Sequence, residues 1–296
     1  MITPALAPES LRWVRWCIGL AATAVGALSV HAIMLQVFDV PFPDLSVIPG
    51  PFKLVVRIAA ALALIIFWQR AASRVEGSFL KRWGLLFVIA AMLQESLLRG
   101  PFMEGYCTTA WVFAFVGNLQ KLTSIAVVAA LVVVAAPRLT RVWQKVVAAA
   151  VIATFGMFIA TPLIGMAMAP VMASIASLAP QSEWCTLPYG PNVLIPAYLT
   201  FAEPVLACIA AAGLIWNRLS PSRALRFAQF TLLILAIKNQ LLMPFIYAAF
   251  AKVPLVDAFV SESQFALEAV ALALLAGVTW EWTRPKARQP AMGPVD

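Results

Sequence analysis

Five charged side chains lie inside long apolar segments of this sequence, in surroundings where a charge must be neutralised or bound. They are Glu95, Lys121, Glu203, Lys238 and Glu268. An isolated charge at the centre of a bilayer costs about 2.5–3.5 kcal/mol on insertion scales. Acids and bases gathered in such a place could bind a polar or zwitterionic solute, pass protons, or neutralise one another across helices.

The composition predicts a membrane protein. The 296 residues are 62% hydrophobic and only 11% charged, whereas a soluble domain has roughly 25% charged residues. The apolar runs are continuous, which predicts an all-α polytopic membrane helix bundle rather than a β-barrel. The net charge of +8 comes from short loops, where it sets orientation, so we expect membrane lipid and no nucleic acid as partner.

The apolar runs predict about eight transmembrane helices. They cover residues 13–37, 53–69, 83–100, 109–136, 146–169, 193–216, 227–250 and 259–281. Most of the 21 Lys and Arg residues fall in the loops on one side, which places both the N- and the C-terminus in the cytoplasm. The high alanine content and the lack of a large polar domain predict the bacterial inner membrane. All ten tryptophans lie near predicted boundaries, as in an interfacial belt.

Similar residues recur in the two halves of the chain. Leu97-Leu98 and Leu241-Leu242 are 144 residues apart, as are Ala114-Phe115-Val116 and Ala258-Phe259-Val260. This pattern predicts two tandem four-helix halves, residues 1–142 and 143–283, followed by a disordered cytoplasmic tail, residues 284–296. Halves with four spans each have the same orientation, as in transporters whose repeats are related by an axis along the membrane normal.

Helix rise predicts that the buried polar groups share one slab in the outer half of the bilayer. Counted from the cytoplasmic boundaries at 1.5 Å per residue, Glu95 and Lys238 are roughly 18–20 Å deep, and the other three charges roughly 21–23 Å. The candidate substrate-binding residues are Glu95, Lys121, Glu203, Lys238, Glu268, Asn118, Gln240 and Gln264. A purely structural lock between helices would use the same charges.

Three classes of function are compatible with this slab. The first is a permease or channel-like protein for a small polar solute. The second is a structural or assembly subunit that binds a membrane-protein partner. The third is an intramembrane enzyme that acts on a lipid-linked substrate, with Glu95 or Glu268 as acid or base. An open cavity around these side chains favours the first class, and a dry, fully paired cluster the second.

The string Gln94-Glu95-Ser96-Leu97-Leu98-Arg99 resembles the first motif, Glu-Glu-x-x-x-Arg, of the CAAX-protease-like membrane metalloproteases. The resemblance covers this motif alone, and membership would imply histidine ligands on later helices. Here the first Glu is replaced by Gln94, and His31, the only histidine, precedes the motif. The chain therefore does not carry that family's metal ligands, and we expect neither a metal nor another cofactor.

Two cysteines fall in segments predicted to lie outside the membrane. They are Cys107 in Tyr106-Cys107-Thr108 and Cys185 in Trp184-Cys185-Thr186. If that side is the oxidising periplasm, the two thiols could form a disulfide that links the halves. Two unpaired, buried thiols are the alternative.

Overall fold

The computed structural model describes residues 13–284, which form a bundle of twelve α-helices without a β-strand. The helices are α1 Trp13–Gln36, α2 Gly50–Ala71, α3 Phe79–Leu93, α4 Arg99–Thr108, α5 Trp111–Ala135, α6 Val142–Phe155, α7 Thr161–Ser174, α8 Pro191–Thr200, α9 Ala202–Ile215, α10 Arg223–Ile237, α11 Met243–Phe250 and α12 Leu255–Thr283. The all-α prediction is thus confirmed. The predicted tail, apart from Arg284, lies outside the described residues.

Six helical segments within residues 13–284 are long and apolar enough to cross a bilayer. They are Trp13–Gln36, Gly50–Arg74, Trp111–Arg138, Val142–Ser174, Pro191–Arg218 and Leu255–Thr283. The chain is therefore a helical membrane protein. The end of the bundle that carries Arg70, Arg82 and Arg226 is called the basic end below. The other end, where Cys107 and Cys185 are bonded, is called the disulfide end.

The two remaining predicted spans are interrupted helices. Residues 83–100 form most of α3, a break and the start of α4, and residues 227–250 form most of α10, a second break and α11. The breaks coincide with the polar strings that begin at Gln94 and at Lys238. Neither part of an interrupted span reaches the roughly 20 residues that a continuous span requires, so only six segments meet the length criterion.

The two breaks have the same backbone structure. Glu95 and Asn239, 144 residues apart, adopt left-handed conformations with φ of 52° and 64°. The next amide donates five residues back in both cases, from Ser96 N to Ala91 O at 2.8 Å and from Gln240 N to Leu235 O at 2.7 Å. This is the Schellman pattern, which ends a helix by satisfying its last carbonyls. Neither position is a glycine, although asparagine tolerates this conformation better than glutamate.

Helices α6 and α7 form one continuous span with a wider turn between them. Residues Gly156–Ala160 form one π-helical turn, in which Thr161 N donates to Gly156 O. Pro162 follows directly and has no N–H to donate to the helix. Such turns widen the helix locally and are frequent at functional sites.

Close packing of small residues brings α1 against α12. A Cβ atom at Gly19 would lie 2.5 Å from Cγ2 of Thr279, and one at Gly26 would lie 2.8 Å from Cδ1 of Leu275. The hydroxyl oxygens of Thr23 and Thr279 are 3.0 Å apart, so the two helices also share a buried hydrogen bond. Small residues allow this close approach in lipid, where packing rather than water exclusion holds helices together.

The loop between α1 and α2 packs on the disulfide end of α11 and α12. The Oγ of Ser261 and the Nε2 of Gln264 donate to Pro41 O at 2.8 and 3.1 Å. The backbone N–H of Asp44 donates to the hydroxyl of Tyr247 at 3.1 Å. Gln264, one of the predicted substrate-binding residues, therefore anchors this loop.

Candidate functional site

Three of the predicted site residues meet in one ion-pair network at the two breaks. The Nε of Arg99 donates to Glu95 at 2.6 Å, and Lys238 Nζ donates to the other oxygen of Glu95. Lys238 Nζ also donates to Leu93 O at 3.3 Å and lies 3.8 Å from Oε1 of Glu268. We call Glu95, Arg99, Lys238 and Glu268 the ion-pair network. It holds two acids and two bases, so their formal charges balance.

Arg99 completes this network and has few donors left for a ligand. Its Nη1 donates to Ala197 O at 2.5 Å and to Oγ1 of Thr200 at 3.1 Å. Its guanidinium carbon lies 4.9 Å from the centre of the Phe201 ring, within the range of a cation–π interaction. The ion-pair network thus fastens the first break to α8 and α9.

Glu203 caps the N-terminus of α4. Its carboxylate accepts hydrogen bonds from the backbone N–H groups of Leu97 at 3.0 Å, Leu98 at 2.8 Å and Arg99 at 2.5 Å. The first amides of a helix have no partner within it and carry the positive end of the helix dipole. No side chain of the α4 segment itself caps this end. A buried carboxylate from α9 therefore replaces the missing N-cap.

Asn118 and Gln240 lie at the two breaks. The side-chain amide of Asn118 donates to Ser96 O at 2.5 Å and so joins α5 to the first break. Gln240 lies in the second break, and its Oε1 is buried without a hydrogen-bond partner among the described residues. Asn118 therefore has a structural contact, whereas Gln240 has an unused acceptor.

Lys121 is separate from the ion-pair network and lines a cavity of about 380 Å³ between α2, α5 and the α6–α7 span. Lys53 and Arg57 of α2 line the same space, which is called the cationic cavity below. Its lining residues are Lys53, Arg57, Ala60, Ala61, Leu64, Gln94, Gly117, Gln120, Lys121, Ser124, Ile125, Val128, Ala153, Gly156, Met157 and Thr161. No Asp or Glu is among these described residues.

No acid of the described residues lies within salt-bridge distance of the three cations of the cationic cavity. None of Lys53, Arg57 and Lys121 forms a salt bridge within residues 13–284. The neutral polar groups beside them are bound to each other: the Ser124 and Thr161 hydroxyls are 3.1 Å apart, and Gln120 Nε2 donates to Thr161 O at 3.4 Å. The cavity therefore presents positive charge and a few hydroxyl and amide groups, which suit an anion.

The sequence predicts the cationic cavity only in part. Lys121 was predicted as a site residue, but Lys53 and Arg57 lie near a predicted boundary, where basic residues are common. One signal was present, because Gln120, Lys121 and Ser124 are spaced three and four residues apart and so share a helix face.

A second cavity of about 410 Å³ opens at the disulfide end, between α1, α4 and α8. Its wall includes the disulfide bond between Cys107 and Cys185. Trp184 fixes this wall, because its backbone N–H donates to Cys107 O at 2.9 Å and its indole N–H donates to Tyr106 O at 2.8 Å. Burial raises the pKa of Tyr189 in the adjoining loop, and Glu183 adds to the rise.

No group of three or more His, Cys, Asp or Glu side chains is placed to hold a metal ion in the part of the chain that the structure describes. Comparison with known proteins gives no family: no family model, no curated protein and no solved structure matches the chain. The geometry of the two cavities and of the ion-pair network is therefore the basis for a functional proposal.

Proposed function

We propose that this protein is a multi-pass permease of the bacterial inner membrane, with both termini in the cytoplasm, and that it binds an amphipathic organic anion in the cationic cavity. The observation that carries the proposal is the presence of Lys53, Arg57 and Lys121 around one cavity without an acid among the described lining residues. Cations in a bilayer are costly unless they are paired. A bound anion supplies the missing charge.

The arrangement of the lining favours an anion with an apolar part. Along α2 the lining changes from Lys53 and Arg57 to Ala60, Ala61 and Leu64. Eleven residues separate Lys53 from Leu64, which is about 16 Å of helix. A headgroup such as a phosphate or sulfonate would bind near the disulfide end, and a short apolar chain would extend toward the basic end.

The two proposed halves, residues 1–142 and 143–283, meet at the cationic cavity. Two sets of helix contacts support a duplication. Helices α3 and α4 pack on α5, and their counterparts α10 and α11 pack on α12. Likewise, α7 packs on α5, and its counterpart α1 packs on α12. The cavity is lined by α2 and α5 on one side and by the α6–α7 span on the other. Permeases with duplicated halves bind their substrates at such an interface, where one half can move against the other.

The position that corresponds to Lys121 in the second half is occupied differently. Phe265 lies 144 residues after Lys121, and its ring centre is 4.7 Å from that of His31. An aromatic pair thus fills the place where the first half has a cation. The π-helical turn at Gly156 and Met157 lines the cationic cavity, so the locally widened helix forms part of the cavity wall.

The other two function classes are less well supported. An enzyme with Glu95 or Glu268 as acid or base would need those carboxylates at the substrate, but both are engaged in the ion-pair network. A structural role fits the ion-pair network itself, because it is internally balanced. It does not account for the three unpaired cations of the cationic cavity.

Anion binding is the first testable consequence. We expect hexyl phosphate and hexanesulfonate to raise the melting temperature of the protein, purified in a neutral detergent, by about 3–6 °C at roughly ten times Kd. The probes hexanol and hexyltrimethylammonium, which lack a negative charge, should leave it unchanged. Lys121→Gln should weaken binding of the two anions at least about tenfold, the equivalent of one lost charge-assisted contact.

Lys252→Gln is the matched control, because Lys252 is an exposed lysine at the disulfide end and does not line the cationic cavity. It should bind both anions as the wild type does. Equal stabilisation by hexanol and by the anions, or unchanged anion affinity in Lys121→Gln, would overturn the proposed function.

A further inference from the structure

Glu262 of α12 is a buried carboxylate without a visible partner. The residue is 1% exposed, and neither of its oxygens accepts a hydrogen bond from any described residue. No salt bridge within residues 13–284 includes it. A bare carboxylate in such a place would be very costly, because lipid and protein interior solvate it poorly. Something must neutralise it.

Packing places Glu262 opposite the second break. Ala258 packs in one buried cluster with Tyr247, and the rings of Phe259 and Phe245 are 5.4 Å apart, so this face of α12 meets α11. Glu262 follows Ala258 and Phe259 by four and three residues and therefore lies on the same face, one turn nearer the basic end. Because α11 runs antiparallel to α12, that turn lies beside the start of α11.

The first break supports this placement. There, Asn118 of α5 donates to the backbone oxygen of Ser96 at 2.5 Å. Residues 144 positions later are Glu262 and Gln240. If the two halves share their packing, the side chain of Glu262 approaches the backbone oxygen of Gln240. The carboxylate of Glu262 and this carbonyl oxygen are both hydrogen-bond acceptors, so they cannot bond to each other.

Other acceptors at the second break are also unused. The Oδ1 of Asn239 and the Oε1 of Gln240 are buried and have no partner in the described part of the chain. The break also lies between the C-terminus of α10, which carries the negative end of its helix dipole, and the N-terminus of α11, which carries a positive end. The nearby ammonium group, Lys238 Nζ, donates to Leu93 O and Glu95 instead. The region thus holds several buried oxygens that have no hydrogen-bond partner among the described residues.

We propose that Glu262, Asn239 and Gln240 form a binding site for a monovalent metal cation at the α10–α11 break. Carboxylate and amide oxygens suit such ions, and the interrupted helices of membrane transporters coordinate Na⁺ in this manner. One carboxylate and one monovalent ion give a neutral site, whereas a divalent ion would leave a buried positive charge. The site is separate from the cationic cavity, since none of its three residues lines that cavity.

The test compares the melting temperature of the purified protein in equal concentrations of NaCl, KCl and choline chloride. We expect Na⁺ or K⁺ to raise it by about 3–6 °C over choline at roughly ten times Kd. Chloride is constant, so the result does not depend on the cationic cavity. Glu262→Gln should remove the difference, whereas Glu104→Gln, at an exposed position of α4, should retain it.

A second variant keeps the test decisive if Glu262→Gln does not fold. Asn239→Gly removes the side-chain oxygen and preserves the left-handed backbone at φ of 64°. It should weaken the cation effect at least about tenfold. Identical melting temperatures of the wild type in all three chlorides would overturn the proposal. So would a melting temperature that depends on pH but not on the cation, because Glu262 would then be neutralised by a proton alone.

Discussion

Lys238→Met is expected to destabilise the protein by about 3–5 kcal/mol, the usual cost of removing one partner from a buried ion pair. The side chains of Lys238 and Glu268 are each 6% exposed. Without Lys238, Glu95 keeps Arg99 as its partner, but Glu268 loses the one cation within salt-bridge distance among the described residues. The loss should appear as a lower melting temperature of the protein in neutral detergent.

Removing the stranded carboxylate should reverse part of this loss. The double variant Lys238→Met/Glu268→Gln is expected to be more stable than Lys238→Met alone, because an uncharged amide is cheaper to bury than an unpaired carboxylate. Lys252→Met, at an exposed position, should be close to neutral. A Lys238→Met variant as stable as the wild type would show that the ion-pair network does not hold the two breaks together.

Glu203→Gln is expected to be the next most destabilising change, by about 2–4 kcal/mol. The carboxylate of Glu203 accepts three backbone hydrogen bonds at the start of α4. Glutamine offers a single acceptor oxygen, and its amide group would point donors at other donors. The charge that complements the helix dipole is also lost. Thermal unfolding would report the stability, and amide hydrogen exchange would report the order of α4.

Glu104→Gln is the control for this change, because it neutralises an exposed glutamate on the same helix. It should alter neither the melting temperature nor the exchange rates. Unchanged protection of the α4 amides in Glu203→Gln would contradict the role of Glu203 as the cap of that helix.

The helical membrane class followed from the sequence because the apolar runs are long and continuous. The two interruptions did not, although a proline stands in the first turn of the helix after each break, Pro101 in α4 and Pro244 in α11. At both places a polar string lies in an otherwise apolar segment, and the chain ends one helix through a left-handed Glu95 or Asn239. Hydropathy averages over such a string and predicts a single span. The pairing of Glu95 with Lys238 depends on the packing of two distant spans, which hydropathy does not describe.

The predicted slab of charged residues separates into three environments in the structure. Depth along a helix was estimated from the sequence, but the direction of each side chain depends on helix rotation. Glu95, Lys238 and Glu268 meet, Glu203 caps α4, and Lys121 faces the cationic cavity. Arg57 was assigned to the boundary by its position near the start of α2. Arg57 lines the same cavity as Lys121 because α2 packs beside α5, and a single sequence does not specify this packing.

Uptake of radiolabelled hexanesulfonate into proteoliposomes tests the central claim most directly, because this permanently charged anion crosses lipid poorly. The permease account predicts uptake above that of protein-free vesicles for the wild type and for Lys252→Gln, and uptake near the protein-free rate for Lys121→Gln. Binding of hexanesulfonate by the purified protein together with no uptake into proteoliposomes would contradict it. The cationic cavity would then be a binding site of a protein that does not transport.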